Sequence, residues 1–386
     1  MNGMKRVGVI LTAVVLLVAL VTGGLVWRGS QLLKSDSAPT PITKHWGVLI
    51  RPFALVMPET EATYDWRPSV RQQLDDAHTL GVTTIKVDLE SDFRMTYELL
   101  SMIKAAGFET VLIVDRGDKD FASTSTDFTA LGQQLGDAAA IRFAGVVDVW
   151  QLANEVSGSA VHQPSDTGAT LTNRYNLTYD QNRYNNVRNY TKAMGLAIRA
   201  HDPNAKLMLT GHWVLVDIFP RLVADGVPFD IVGWDWYSDQ GTDPSNKVVD
   251  GQGSLNLPQF FNAMGKQFWL AEVNRESGSY DGHQADQATW IGNVAKVVAN
   301  GDQISGMVVF MLGDIASEVA NNAKTGYLGL IEINRFANGT ATFGTKKPAF
   351  TAYQSAIQTY GAKQVAATKT GLDRLAVQTA RFFGLK

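Results

Sequence analysis

The chain has 386 residues, 45% hydrophobic and 18% charged. That is the profile of a globular protein with a substantial core, and it excludes a mainly disordered chain. A formal net charge of −3 gives no basic footprint for nucleic acid or another polyanion, and the lack of cysteine excludes disulfides, Cys-ligated zinc and thiol nucleophiles together.

After Lys5-Arg6, residues 7–27 (VGVILTAVVLLVALVTGGLVW) carry no charge. At about 1.5 Å of rise per residue they are long enough to cross a hydrocarbon core of roughly 30 Å. Residues 1–28 therefore read as a transmembrane anchor or a signal helix. No A-x-A exit follows and no cysteine is present for lipid attachment, which favours an uncleaved anchor with Lys5 and Arg6 on the inner side. The remainder is then expected outside the cytoplasm, tethered to the cell membrane, or secreted if the segment is cleaved. Residues 29–44 (GSQLLKSDSAPTPITK) are small, polar and proline-bearing, as in a linker.

From His45 onward, apolar runs alternate with amphipathic segments. The predicted strands are HWGVLI (45–50), VTTIKVDL (82–89), TVLIVD (110–115), VVDVWQLAN (146–154), KLMLTG (206–211), FDIVGWDWY (229–237), QFWLAEV (267–273) and GMVVFML (306–312). Between them lie segments of helical spacing such as SVRQQLDDAHTLG and SMIKAAG, each closing on a glycine where a C-cap belongs. Eight strand–helix repeats imply parallel strands joined by crossover helices, and the continuous apolar runs fit strands covered on both faces. A (β/α)8 TIM barrel over residues 45–362 accounts for them. A doubly wound open sheet would usually show a glycine-rich phosphate turn after its first strand, and LIRPFALVMPET has none. After the fourth strand, residues 157–190 form an insertion rich in Asn, Tyr, Ser and Thr. It is expected as a loop along a cleft wall, with helical spacing resuming around Lys192. The three N-x-T sequons, two in this insertion and one at 338–340, are short enough to arise by chance. The tail, 363–386, places Leu372, Leu375, Ala376, Thr379, Phe382 and Phe383 at roughly helical spacing. It reads as an amphipathic helix that packs on its own domain or touches the membrane.

In such a barrel, chemistry belongs at the C-terminal strand ends. Two strands finish on glutamate after a parallel lead, WQLANE on the fourth and WLAE on the seventh. A buried carboxylate is costly unless paired, so a polar stop on an apolar strand marks either a solvated rim or a site. The fourth and seventh strands face each other across the mouth, and two carboxyls about 5–5.5 Å apart are what a retaining glycosidase requires.

On these motifs the chain resembles the clan A glycoside hydrolases, retaining (β/α)8 enzymes with an Asn-Glu acid/base ending strand four and a glutamate nucleophile ending strand seven. The resemblance covers residues 45–362. It implies that Glu272 is the nucleophile and Glu155 the acid/base, that Asn154 binds the sugar 2-hydroxyl, and that Tyr237 contacts the nucleophile. Glu155 is then expected to be raised toward neutrality and Glu272 to stay ionised. Further substrate-binding candidates are His212 and Trp213 at the end of the fifth strand, Asp235 and Trp236 in the sixth, and Arg51 closing the first, where it would hold the nucleophile or join a rim salt bridge. Trp234 and Trp236 should share one side of their strand. Asp88, Glu90, Asp115 and Arg116 fit a structural ion-pair network. The chain departs from the clan at strand eight, where GMVVFMLGD offers Phe310 instead of tryptophan, and Val156 stands where proline often follows Asn-Glu. No metal-ligand spacing occurs, and no metal or cofactor is expected. The expected partner is a β-linked oligosaccharide, polysaccharide or glycoside, taken by a monomeric barrel. The alternative is a non-catalytic, extracytoplasmic carbohydrate-binding barrel, for which the missing strand-eight tryptophan speaks.

Overall fold

The computed structural model describes residues 44–115, 119–160, 180–213, 215–248, 254–334 and 339–360. The anchor segment, the linker up to residue 43, Arg116 and the tail 363–386 lie outside them. Among the described residues, no helix is long and apolar enough to cross a membrane.

Eight parallel strands close into a barrel: β1 (His45–Leu49), β2 (Thr84–Asp88), β3 (Glu109–Ile113), β4 (Val149–Gln151), β5 (Lys206–His212), β6 (Ile231–Tyr237), β7 (Gln267–Asn274) and β8 (Gly306–Val309). Strands adjacent in sequence are adjacent in the ring, and β8 pairs with β1 from His45 opposite Gly306 to Val48 opposite Val309. All eight predicted strands are present, their ends differing from the expected ones by at most three residues. A helix follows each: α1 (Arg67–Leu80), α2 (Phe93–Ala105), α3 (Phe128–Phe143), α4 (Gln181–His201), α5 (Ile218–Ala224), α6 (Leu257–Ala263), α7 (Gln284–Asn300) and α8 (Pro348–Tyr360). Aspartates cap three of them, Asp92, Asp127 and Asp180 each accepting a backbone N–H in the first turn. Lys44, assigned to the linker by composition, is already part of the barrel, because its side chain is buried with the ammonium on the carbonyls of Gly301 and Ile304.

The alternation of strand side chains builds two cores. Outward residues such as Val48, Ile85, Leu112, Leu209 and Trp234 pack beneath the helices. Inward ones, among them Val111, Val149, Met208, Ile231 and Trp269, fill the barrel. Gly306 faces this interior, where the Trp269 indole lies so close that a Cβ would sit 2.5 Å from the ring.

The insertion after β4, expected as a loop over 157–190, is helical at both described ends. A short helix covers Val156–Ala160, and α4 starts at Gln181, eleven residues ahead of Lys192. The physical reason is a stripe of Tyr184, Val187, Tyr190, Met194 and Ile198, in which tyrosines serve as apolar residues and are buried against the barrel. Opposite this stripe, a Cβ on Gly132 of α3 would collide with the Tyr190 carbonyl, so glycine there permits the close helix pair.

Candidate active site

The end of β4 is held in place by its neighbours. Beyond Gln151, the Leu152 and Asn154 N–H groups donate to Met208 O (2.9 Å) and Asp115 O (3.0 Å). Glu155 then enters the left-handed region at φ 46°, which costs a non-glycine residue about 1–3 kcal/mol. Its N–H is tied to Thr210 Oγ1 of β5 at 2.8 Å. The Asn154 Oδ1 accepts from Gln151 Nε2 (2.8 Å) and Thr210 Oγ1 (3.2 Å), so its amide nitrogen is the group left for a ligand. Thr210 thus braces both residues of the Asn-Glu pair.

Glu272 reaches the interior through an irregularity in β7. The register with β6 runs Trp234 opposite Leu270 and then Asp235 opposite Glu272, so Ala271 is an extra residue. Strict alternation would turn Glu272 toward the helices, since Ala271 belongs to the interior cluster. The bulge resets the phase. One carboxylate oxygen of Glu272 lies 3.1 Å from Lys86 Nζ, and the other accepts from the Tyr237 hydroxyl at 3.1 Å. Lys86, fully buried on β2, also donates to Ala271 O at the bulge, 3.1 Å away. The Glu272 carboxylate thus has a charged partner and a hydrogen-bond donor in its buried position.

The remaining groups divide by charge state. Burial pushes the Glu155 carboxyl above its ordinary range, the positive charge His212 can carry pulls it back, and the negative Glu272 adds to the rise. His212 Nδ1 stands 3.6 Å from Glu155 Oε1. Burial, with Glu272 and Asp235 nearby, holds the Tyr237 phenol well above its usual value, so it remains an O–H donor. Asp235 is fully buried, with neither carboxyl oxygen hydrogen-bonded among the described residues. Burial and then Glu272 raise it strongly, favouring the neutral acid.

The structure brings Asn154, Glu155, His212, Asp235, Tyr237 and Glu272 to one end of the barrel. Trp213 is half-exposed beside His212, in the left-handed region at φ 56°. Trp236 is a correction: it is fully buried in the helix-facing core with Trp234, because Asp235 and Tyr237 take the inward positions of β6. Arg51 is not paired with Glu272 but takes the rim salt bridge. It lies 3.6 Å from Asp88 and over the Phe310 ring at 5.6 Å, while Lys86 takes the place beside Glu272. Asp115 pairs with Lys119 at 3.2 Å. Lys86 was not singled out from sequence, although a lysine in the middle of TIKVD breaks a buried strand just as Asn154-Glu155 does. Lys86→Met is expected to destabilise the fold by about 3–5 kcal/mol, because it leaves the Glu272 carboxylate buried without its ammonium partner. Urea denaturation of the variant against the wild type would check it.

Beside these polar groups, Leu49, Ile113, Met311 and Ile315 with half-buried Phe310 form an apolar patch where β1, β3 and β8 end. No group of three or more His, Asp or Glu side chains among the described residues is placed to hold a metal ion.

No protein-family model matches the sequence, and no curated protein does either. Solved structures do match in fold. GH5_18 from Streptomyces cattleya, in complex with GlcNAc, aligns with a TM-score of 0.60 at 14% identity over 88% of each chain. A β-glucosidase from Thermotoga maritima in complex with glucoimidazole gives 0.56 at 12%, covering 84% of this chain and all of that one at 100%. Xylanase 10B from Thermotoga maritima gives 0.54 at 13%, over 83% and 96%. At these identities the likeness is one of fold alone: the chain is a (β/α)8 barrel.

Proposed function

We propose that the chain is a retaining glycoside hydrolase that cleaves β-glycosidic bonds by double displacement. The observation that carries this reading is a pair of glutamates at the ends of β4 and β7 in opposite electrostatic settings. Glu272 is held as a carboxylate by Lys86 and Tyr237, and Glu155 is raised by burial and by Glu272 itself. In the first step Glu272 attacks the anomeric carbon while Glu155 protonates the departing oxygen. The ester then removes the negative charge that had raised Glu155, which favours its carboxylate form as the base that activates water. Asn154 would donate to the 2-hydroxyl through its amide nitrogen, and His212 would steady Glu155. The GlcNAc bound to GH5_18 and the glucoimidazole bound to the β-glucosidase support a carbohydrate substrate. We further propose, from sequence alone, that residues 7–27 hold the barrel outside the cytoplasm.

The test is a panel of aryl β-glycosides and β-linked oligosaccharides, followed by proton NMR of the first anomer released. Release of the β-anomer supports the proposal. The α-anomer would contradict retention, and binding without turnover across the panel would favour the carbohydrate-binding barrel.

A further inference from the structure

Two adjoining cavities open beside the apolar patch. The smaller, about 180 Å³, is lined by Arg51, Phe53, Glu61, Glu90, Ile315 and Glu318. The larger, about 760 Å³, shares Phe53, Glu61 and Glu90 and continues outward along Tyr64, Trp66 and Met95. Ile315 belongs to the apolar patch, and Arg51 lies against Phe310 within it, so the two cavities run on from the mouth. Their walls come from the segments following β1, β2 and β8.

That position assigns a direction, given the roles of Glu155 and Glu272 proposed above. Glu155 ends β4 and must meet the leaving oxygen, so the departing part of the substrate lies toward β4. In an eight-stranded ring β8 stands opposite β4, and the part that stays bonded to Glu272 extends toward β8, β1 and β2. We infer that the two cavities hold further sugars on this glycone side, so that the protein cuts within a β-linked oligosaccharide and does not trim single terminal sugars. The larger cavity has the size of a ligand pocket, for which roughly 300–1,000 Å³ is usual. The aromatic faces of Phe53 and Tyr64, both half-buried at the wall, offer apolar surface against which a sugar ring can lie. The smaller cavity sets Glu61, Glu90 and Glu318 against Arg51, whose charge is met by Asp88. A neutral chain fits this balance better than one bearing uronate or sulfate.

The test compares 4-nitrophenyl β-glycosides with one leaving group and increasing glycone length: glucoside, cellobioside and cellotrioside, with the mannose, xylose and N-acetylglucosamine counterparts. In the series the wild type accepts, kcat/KM is expected to rise by about tenfold or more from one sugar to two, the worth of one good aromatic contact. In Tyr64→Ala and Phe53→Ala the two-sugar to one-sugar ratio should fall toward unity. Equal kcat/KM for one and two sugars in the wild type, or a ratio untouched by both alanine variants, overturns the inference while leaving hydrolysis standing. No turnover on any member removes the hydrolase reading and this inference together.

Discussion

Replacing Glu272 with glutamine is expected to lower kcat/KM on an aryl β-glycoside by about five orders of magnitude, the scale on which enzymes lose rate when a covalent nucleophile is removed. Glutamine keeps the volume of the side chain and a carbonyl oxygen for the Tyr237 hydroxyl, so the bulge at Ala271 and the packing around it should survive. What disappears is the charge that pairs with Lys86 and, in the proposed mechanism, the anion that attacks the anomeric carbon. The same substitution removes the negative neighbour that raises Glu155. Calorimetry with a competitive sugar ligand should show that binding persists in the variant. A loss of less than about tenfold would place the nucleophile elsewhere.

Glu155→Gln should cost about 10²–10⁴-fold on substrates with poor leaving groups, the usual worth of a general acid and base. The loss depends on chemistry in a way that misfolding cannot imitate. A 2,4-dinitrophenolate departs without a proton, so formation of the ester should be nearly unaffected. Hydrolysis of the ester then lacks its base, the intermediate accumulates as a burst, and added azide restores turnover. The pH profile gives an independent view of the same residue. The proposed mechanism needs Glu155 protonated, so kcat/KM should be present below its pKa and lost as pH rises through it. Burial sets that alkaline limb above the ordinary glutamate range, and His212 pulls it down. His212→Ala should therefore move the limb to higher pH, measured against wild type on one substrate, and a shift to lower pH would contradict the assignment.

The fold was largely legible because each barrel strand is an apolar run between turn-forming residues and each outer helix carries a buried stripe. α4 was the exception, since its stripe is built partly from tyrosines, which read as polar loop residues when surrounded by Asn and Thr. The site was legible where residues interrupt an apolar strand, as Asn154-Glu155 does. Lys86 interrupts one too, and the same desolvation argument applied to TIKVD would have found it. The inward turn of Glu272 was not legible. It depends on one extra residue in the β7 ladder, and a bulge of that kind leaves no mark in WLAE, because it is set by hydrogen bonding to β6 and β8. Trp236 shows the reverse case: an aromatic residue beside the site is one position out of phase with it, and the strand period sends it to the helices.

The covalent bond proposed between Glu272 and the sugar can be trapped by incubating the protein with a 2-deoxy-2-fluoro-β-glycosyl fluoride of the sugar it accepts. The fluorine slows both steps, and the reactive leaving group lets the first proceed, so the ester persists. Mass spectrometry of the intact protein should then show one added fluoroglycosyl group, and the peptide map should place it on Glu272. Addition at another residue, or none under conditions where the parent glycoside is turned over, would contradict the account.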